Sequence, residues 1–213
     1  MKEVIILGMG ATMVKCPYDT ETWGVNKVYK MAKKLDKLFG IDGRWYPDGS
    51  PRWDFDELNA LDIPIVMLHH FPEIKRLVHY PYNRIVERFG TEFFSNSICY
   101  MLAYAIYKNY RKIRMYGVDM VGQLEYQIER GGVEYWVGRA EGVGIKVENT
   151  KDSMVCKTAM GVPYGFKYNY DIKNMDPFNV LQAYKKKEVL DAEDLAPNRK
   201  EGKNQKHIDS VLA

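Results

Sequence analysis

The sequence has few cysteines and no excess of charge of either sign. Its three cysteines, Cys16, Cys99 and Cys156, are odd in number, lie far apart and form no Cys-x-x-Cys pair, which argues against a disulfide framework and a thiolate zinc site. We therefore expect reduced thiols and a cytoplasmic location. The 31 basic residues nearly balance the 28 acidic ones, so the composition carries no strong nucleic-acid signal.

Long hydrophobic runs are also missing. No apolar stretch approaches the roughly 20 residues that cross a bilayer, and the first residues lack the basic, apolar and cleavage regions of a signal peptide. No internal repeat is visible. With 213 residues, of which 46% are hydrophobic, the chain is long enough for one well-packed domain. The sequence predicts no membrane contact and leaves the oligomeric state open, a homo-oligomer included.

Short apolar runs alternate with helical patterns along the chain. The runs predict strands at residues 4–7, 22–25, 63–68, 112–116 and 145–147. Apolar residues at helical spacing predict helices at 27–39, 82–89, 97–108 and 134–141, and the turn-rich stretch 40–51 predicts a loop. Ser95 or Asn96 is expected to cap the third helix. This alternation predicts an α/β fold with a Rossmann-like open, mostly parallel sheet and helices on both faces.

The regular alternation of strand and helix patterns ends after residue 150. We expect a single domain with a C-terminal extension. Residues 1–150 are predicted to form the Rossmann-like nucleotide-binding domain. Residues 151–195 are predicted to be that extension, with a flap at 154–170 and a helix at 177–187 packed on the domain. The polar residues 196–213 are expected to be a disordered tail.

The first strand ends in two glycines one residue apart, in the stretch VIILGMGATM. In open parallel sheets, ligands bind beyond the carboxyl ends of the strands. The loops 8–13, 26–27, 69–72 and 117–120 are therefore the candidates for a site. A glycine pair after a strand is a weak signal on its own, because it fits both a nucleotide-binding loop and a tight turn.

Four segments together resemble a known group. They are VIILGMGATM, then GVNKVY at 24–29, FFSNSICYMLAYAIYKNYRKIRMYGVDM at 93–120, and EYWVGRAEGVGIKV at 134–147. The pattern is similar to that of the Rossmann-like bacterial sialyltransferases and their relatives, which include archaeal hydroxymethylpterin diphosphokinases and uncharacterised phage proteins. The resemblance covers roughly the first 150 residues. It implies a transferase with a nucleotide-activated donor, in the host cytoplasm if the protein is phage-encoded.

The resemblance also implies which residues bind the nucleotide. Glycines allow close approach of phosphate, and N–H groups at a helix start stabilise an anion. Asn and hydroxyl side chains can bridge phosphate, ribose and base, and a carboxylate at a strand end accepts from ribose hydroxyls or holds a metal. The implied nucleotide-binding residues are Gly8, Met9, Gly10, Thr12, Asn26, Lys27, Ser95, Asn96, Ser97, Gly117 and Asp119.

This chain departs from the family pattern in three respects. The family Asn between the glycines is Met9, and the family Pro-Ser is replaced by Ala11-Thr12. In addition, the stretch EYQIERGGVEYW contains no counterpart of the His that serves the sialyltransferases as general base. An acid or base would then come from Glu125, Glu129 or His69. Arg130 is the candidate for stabilising the departing phosphate.

The leading hypothesis is a sialyltransferase-like glycosyltransferase whose donor is a CMP- or UDP-linked sugar, with an unidentified acceptor and no metal site. One alternative is diphosphoryl transfer from ATP, which needs a divalent metal that Asp42 and Asp119 could bind. A second alternative is a phage-type protein that binds a nucleotide without turnover, because the family His is missing. Redox chemistry with NAD is disfavoured, since GMGATM lacks the third glycine and no acidic residue closes the second strand.

Overall fold

The computed structural model describes residues 2–122 and 124–158, which contain one seven-stranded sheet. Every strand pair in it is parallel, in the order β5-β4-β3-β2-β1-β6-β7. The strands are β1 Glu3–Leu7, β2 Thr22–Val25, β3 Lys37–Gly40, β4 Ile65–Met67, β5 Leu77–His79, β6 Lys112–Tyr116 and β7 Lys146–Asn149. The helices are α1 Phe55–Ala60, α2 Tyr82–Phe89, α3 Ser97–Tyr107 and α4 Leu124–Gly142, with 3-10 turns at Ala11–Lys15 and Asn26–Lys30.

The strand order reverses beside β1. After β1 the chain adds β2 to β5 on one side, and it then returns to place β6 and β7 on the other. Residues 4–7 of β1 are completely buried, because both faces of the sheet are covered. The predicted α/β fold with an open parallel sheet is confirmed, and the reversal between β1 and β6 is the place where such sheets bind ligands.

Two hydrophobic clusters cover the two faces of the sheet. Val4 and Ile6 of β1 join the cluster that includes residues of α2, α3 and α4. Ile5 and Leu7 point the other way and join the cluster formed by α1, both 3-10 turns and the loops around Trp53. This alternation follows from the two-residue period of a strand. Helix α3 is apolar on nearly every side because it packs in the first cluster, as predicted.

The prediction of a helix at residues 27–39 is wrong. A 3-10 turn, Asn26–Lys30, follows β2, and strand β3 occupies Lys37–Gly40. Leu38 and Phe39 are fully buried in the sheet, where β3 pairs with both β2 and β4. A short apolar stretch fits the periodicity of a helix or of a strand, and here pairing with both neighbouring strands stabilises the strand.

Helix α1 and strand β5 were not predicted, and α4 begins ten residues before its predicted start at residue 134. A start signal for α1 was present, since the Asp54 carboxylate accepts from the Glu57 N–H at 3.0 Å as an N-cap. Strand β5 lies at the edge of the sheet and is only partly buried, so it has no continuous apolar run. The glycines Gly131 and Gly132 made the first half of α4 resemble a loop.

The chain after β7 turns back toward β6. Ser153 is buried, and its hydroxyl donates to the Val118 carbonyl at 2.7 Å. The Met154 N–H donates to the Asp119 carbonyl at 2.8 Å. The rest of the predicted flap, the predicted helix at 177–187 and the predicted tail lie outside the described residues. No helix among residues 2–122 and 124–158 has the length and apolar character needed to cross a membrane.

Candidate functional site

A cavity of about 650 Å³ lies at the carboxyl ends of β1, β2, β3 and β6. It therefore occupies the place where the strand order reverses. Eleven of the predicted site residues line it: Gly8, Met9, Gly10, Asn26, Ser95, Asn96, Ser97, Gly117, Asp119, Glu125 and Glu129. Four predicted residues, Thr12, Lys27, His69 and Arg130, are not part of this described lining.

The loops that follow β1 and β6 are in direct contact. The Gly8 N–H donates to the Tyr116 carbonyl and the Gly10 N–H to the Gly117 carbonyl, both at 2.8 Å. A Cβ on Gly8 would lie 2.3 Å from the Gly117 oxygen, and Gly117 itself has a φ of +66°. Glycine at these positions is thus required by the packing of the two loops against each other, whatever the cavity binds.

Thr12 and Asp119 connect the same two loops through side chains. The Thr12 N–H donates to Asp119 Oδ2 at 2.9 Å, and the Thr12 hydroxyl donates to Oδ1. The Thr12 hydroxyl oxygen in turn accepts from the Gly117 N–H at 2.9 Å. A Cβ on Gly10 would lie 2.6 Å from Asp119 Oδ2, so the second glycine makes room for this carboxylate. Thr12 is not part of the described lining, but it holds the Asp119 carboxylate in position.

Asn26 stands directly after β2 with a left-handed φ of +50°. This conformation is uncommon outside glycine and is best tolerated by Asn and Asp. The Asn26 Oδ1 atom is buried with no hydrogen-bond partner among the described residues, although Asn26 lines the cavity. A buried acceptor without a donor costs about 1–3 kcal/mol, and a ligand donor would remove that cost. The neighbouring Lys27 lies over the Tyr46 ring, with Nζ 5.2 Å from its centroid.

Helix α3 begins at the cavity. Asn96 is its N-cap, with Oδ1 accepting from the Cys99 N–H at 3.2 Å. The residues in between, Ser97 and Ile98, line the cavity, and the first N–H groups of an α-helix have no acceptor within the helix. The Ser95 hydroxyl donates to the Glu129 carbonyl at 2.7 Å, so Ser95 fixes α4 against this helix start.

Glu129 places a carboxyl group in the wall of the cavity. Asn96 Nδ2 donates to Glu129 Oε2 at 3.1 Å. Burial raises the pKa of the Glu129 carboxyl above its ordinary value, and the charges of Glu125 and Asp42 act in the same direction, whereas the Asn96 hydrogen bond opposes them. A carboxyl group with a raised pKa in a cleft is suited to acid–base work.

The other two predicted catalytic residues lie elsewhere. His69 is exposed and its ring packs edge-on to Phe71, with 6.4 Å between the centroids. Arg130 Nε lies 3.5 Å from the Glu134 carboxylate, one turn further along α4. Neither side chain is part of the described cavity lining that contains Glu125 and Glu129.

Arg52 is not among the predicted site residues, and Asp42 is predicted only as a metal ligand. Both line the cavity, and Arg52 Nη1 lies 3.5 Å from Asp42 Oδ2. Arg52 sits in the turn-rich loop after β3, and no motif marks it. The aromatic residues Phe94, Tyr100 and Tyr126 also line the cavity. The described residues contain no group of three or more His, Cys, Asp or Glu side chains arranged to hold a metal ion.

Comparison with protein-family models found no match, and comparison with curated proteins found none either. Solved structures do resemble this chain. A variant of the sialyltransferase CST-II in complex with CMP has 15% identity and a TM-score of 0.51, covering 72% of this chain and 83% of the other. Sialyltransferase CstII from Campylobacter jejuni, with cytidine-5'-monophosphate, has 17% identity and a TM-score of 0.47, covering 72% and 82%.

Thiamine pyrophosphokinase from Bacillus subtilis is a further structural neighbour. It has 12% identity and a TM-score of 0.41, and the match covers 70% of this chain and 60% of the other. At 15% identity and a TM-score of 0.51, the likeness to the CST-II variant establishes a shared fold and no activity. The site residues of this chain have to be judged on their own geometry.

Proposed function

We propose that this protein is a transferase that takes its group from a nucleotide-activated donor, most simply a sialyltransferase-like glycosyltransferase with a CMP- or UDP-linked sugar. One observation carries the proposal: the loops after β1, β2 and β6 and the start of α3 surround one cavity. That cavity is placed at the reversal of strand order, where open parallel sheets bind nucleotides.

The cavity offers separate groups for the parts of such a donor. The N–H groups of Ser97 and Ile98 suit phosphate, because a helix start attracts anions. Asn26 Oδ1 is buried with no hydrogen-bond partner among the described residues, so a ribose or base donor that reaches it would satisfy it. The Asp119 oxygens already accept from Thr12, but a carboxylate has further lone pairs for a ribose hydroxyl.

Glu129 is the best candidate for the general base. In the proposed reaction an acceptor hydroxyl attacks the anomeric carbon and loses its proton to the Glu129 carboxylate. The bond between that carbon and the phosphate oxygen breaks, and the nucleotide leaves with the electron pair. A raised pKa brings the basicity of Glu129 closer to that needed at neutral pH. Glu125, which lines the same cavity, is the second candidate.

A thermal-shift panel followed by a turnover assay tests this proposal. CMP, UDP, ADP, ATP and NAD are each added with and without magnesium, and the donors are CMP- and UDP-linked sugars. We expect stabilisation by one nucleotide and its sugar conjugate, of about 2.7 kcal/mol at a hundredfold excess over Kd. Free nucleotide should then accumulate slowly, with water as acceptor. Gly10→Val, which would collide with Asp119, should abolish both effects, whereas His69→Ala, outside the described lining, should leave both intact.

The other results of this panel separate the competing functions. Stabilisation by ATP only with magnesium would favour diphosphoryl transfer. Nucleotide binding with no release of nucleotide from any conjugate would favour a binding protein without turnover. Failure of every nucleotide to stabilise the folded protein would contradict the proposal and leave the glycine pair as a tight turn between packed loops.

A further inference from the structure

Arg52 is the one basic residue in the described lining of the cavity. It lies at the end of a loop that is closed on itself, since the Arg52 N–H donates to the Arg44 carbonyl at 2.9 Å. The next residue, Trp53, is 5% exposed, and its indole N–H donates to the Gly43 carbonyl at 3.1 Å. The Arg52 side chain therefore extends from a well-anchored backbone.

Hydrogen bonding leaves the Arg52 guanidinium incompletely satisfied. Its Nε atom is buried with no hydrogen-bond partner in the described part of the chain. Its closest carboxylate contact, Nη1 to Asp42 Oδ2, is 3.5 Å, longer than the 2.7–2.9 Å of a charge-assisted hydrogen bond. The guanidinium also lies over the Tyr46 ring, 4.2 Å from its centroid. Tyr46 thus supports one face of the guanidinium, and the donors left for a ligand are those of the two terminal nitrogens.

Arg52 carries a positive charge in a cavity whose other described charged groups are negative. Four carboxyl groups line the described wall, those of Asp42, Asp119, Glu125 and Glu129. An anionic part of a ligand is repelled by nearby carboxylates. The side of the cavity next to Arg52 is where such a group can meet a cation with free donors.

We propose that Arg52 binds an anionic group of the ligand, a phosphate or a carboxylate, and exchanges its contact with Asp42 for that group. The proposal rests on the proposed function, since it concerns the anion of the same donor. Arginine is suited to this role because its planar fork binds both oxygens of a carboxylate or phosphate. Asp42 holds the guanidinium in the unliganded protein and competes with the ligand for it.

Calorimetric titration of four variants with three probes tests this inference. The probes are cytidine, CMP and CMP-N-acetylneuraminate, which carry no anion, a phosphate, and a phosphate plus a carboxylate. Arg52→Gln should weaken binding of an anionic probe about 10- to 100-fold, and Arg52→Lys should weaken it less. Asp42→Asn should strengthen it several-fold, because it removes the competitor. Arg44→Gln is the matched control, since Arg44 pairs with Glu73 and is not part of the described lining.

The three probes identify the source of the anion. If Arg52 contacts the phosphate, Arg52→Gln weakens CMP and its conjugate alike and leaves cytidine unchanged. If it contacts the sugar carboxylate, only the conjugate is affected. Equal losses for all three probes, or no loss with either Arg52 variant, would overturn the inference while the proposed function stands. Absence of binding of all three to the wild type would overturn both for this donor.

Discussion

The Thr12 N–H donates to Asp119 Oδ2 at 2.9 Å and joins the loop after β1 to the loop after β6. The two residues are 107 positions apart in the chain, yet they meet where the strand order reverses. Asp119 and Gly117 line the cavity, and their positions depend on hydrogen bonds to Thr12 within the protein. Stability and binding should be linked at this connection.

Thr12→Val should destabilise the protein. Valine has nearly the same shape as threonine, but it removes the acceptor of the Gly117 N–H and the donor to Asp119. Leaving a buried N–H without a partner costs about 1–3 kcal/mol, so the free energy of unfolding should fall by that amount in a denaturant titration. Thr158→Val, at an exposed position, should change it by less than about 0.5 kcal/mol. An unchanged free energy for Thr12→Val would show that the connection contributes nothing.

A methyl group added to Gly8 should be more harmful than one added to Gly138. At Gly8 the new Cβ meets the Gly117 carbonyl, a backbone atom that cannot turn away, at 2.3 Å. At Gly138 in α4 it meets nothing within 4 Å. Gly138→Ala should stabilise the helix by about 0.5–1 kcal/mol, whereas Gly8→Ala should lower the unfolding free energy by about 1–3 kcal/mol through overpacking. Equal effects of the two substitutions would contradict the loop packing.

The fold and about half of the site lining could be predicted because local patterns determine them. The apolar runs at β1 and β6 end in glycine, which places both loops at the carboxyl edge of the sheet. The glycine pair, Asn26 and the start of α3 then meet because parallel strands end at a common edge. Helix α3 could be recognised because it is apolar on nearly every side.

The remaining features depend on contacts that no local pattern contains. Strand β3 is stabilised by pairing on both sides, so its four residues looked like the end of a helix. Arg52 reaches the cavity only because its loop closes on Arg44. His69 follows a strand as expected, yet its ring packs beside Phe71. Which residues converge is decided by tertiary geometry.

Glu129→Gln should raise stability at neutral pH while lowering activity. The pKa of Glu129 is raised in the folded protein, mainly by burial, so folding favours its neutral form. Its contribution to stability is fully present below the unfolded pKa and is lost as pH rises through the folded pKa. Gln is neutral at every pH and keeps an acceptor for Asn96, so its advantage in unfolding free energy should be largest at neutral pH and shrink toward pH 4.

The same variant tests the proposed base. Loss of a general base typically lowers kcat by 10²- to 10⁴-fold, so release of nucleotide from the sugar conjugate should fall accordingly. Glu125→Gln, on the exposed first turn of α4, tests the second candidate and should lower kcat much less than Glu129→Gln if Glu129 is the base. Wild-type activity in Glu129→Gln would assign the base to another residue.

Asn26→Gly should separate binding from folding. Glycine adopts a φ of +50° without strain, and the substitution removes a buried acceptor that has no partner in the described part of the chain. The free energy of unfolding should therefore stay the same or rise. Nucleotide affinity, measured by calorimetry, should fall about 2- to 10-fold, because one neutral hydrogen bond contributes roughly 0.5–1.5 kcal/mol. Unchanged affinity with unchanged stability would remove Asn26 from the binding site.

The most direct test of the nucleotide-binding cavity is hydrogen exchange of the wild-type protein with and without saturating CMP, UDP or their sugar conjugates. A nucleotide bound in the cavity should slow exchange in three segments, residues 8–11, 95–98 and 117–121, with little change at the far edge strand β5. Protection confined to those segments would support a nucleotide in the cavity. An unchanged exchange pattern with every nucleotide, or protection that avoids all three segments, would contradict it.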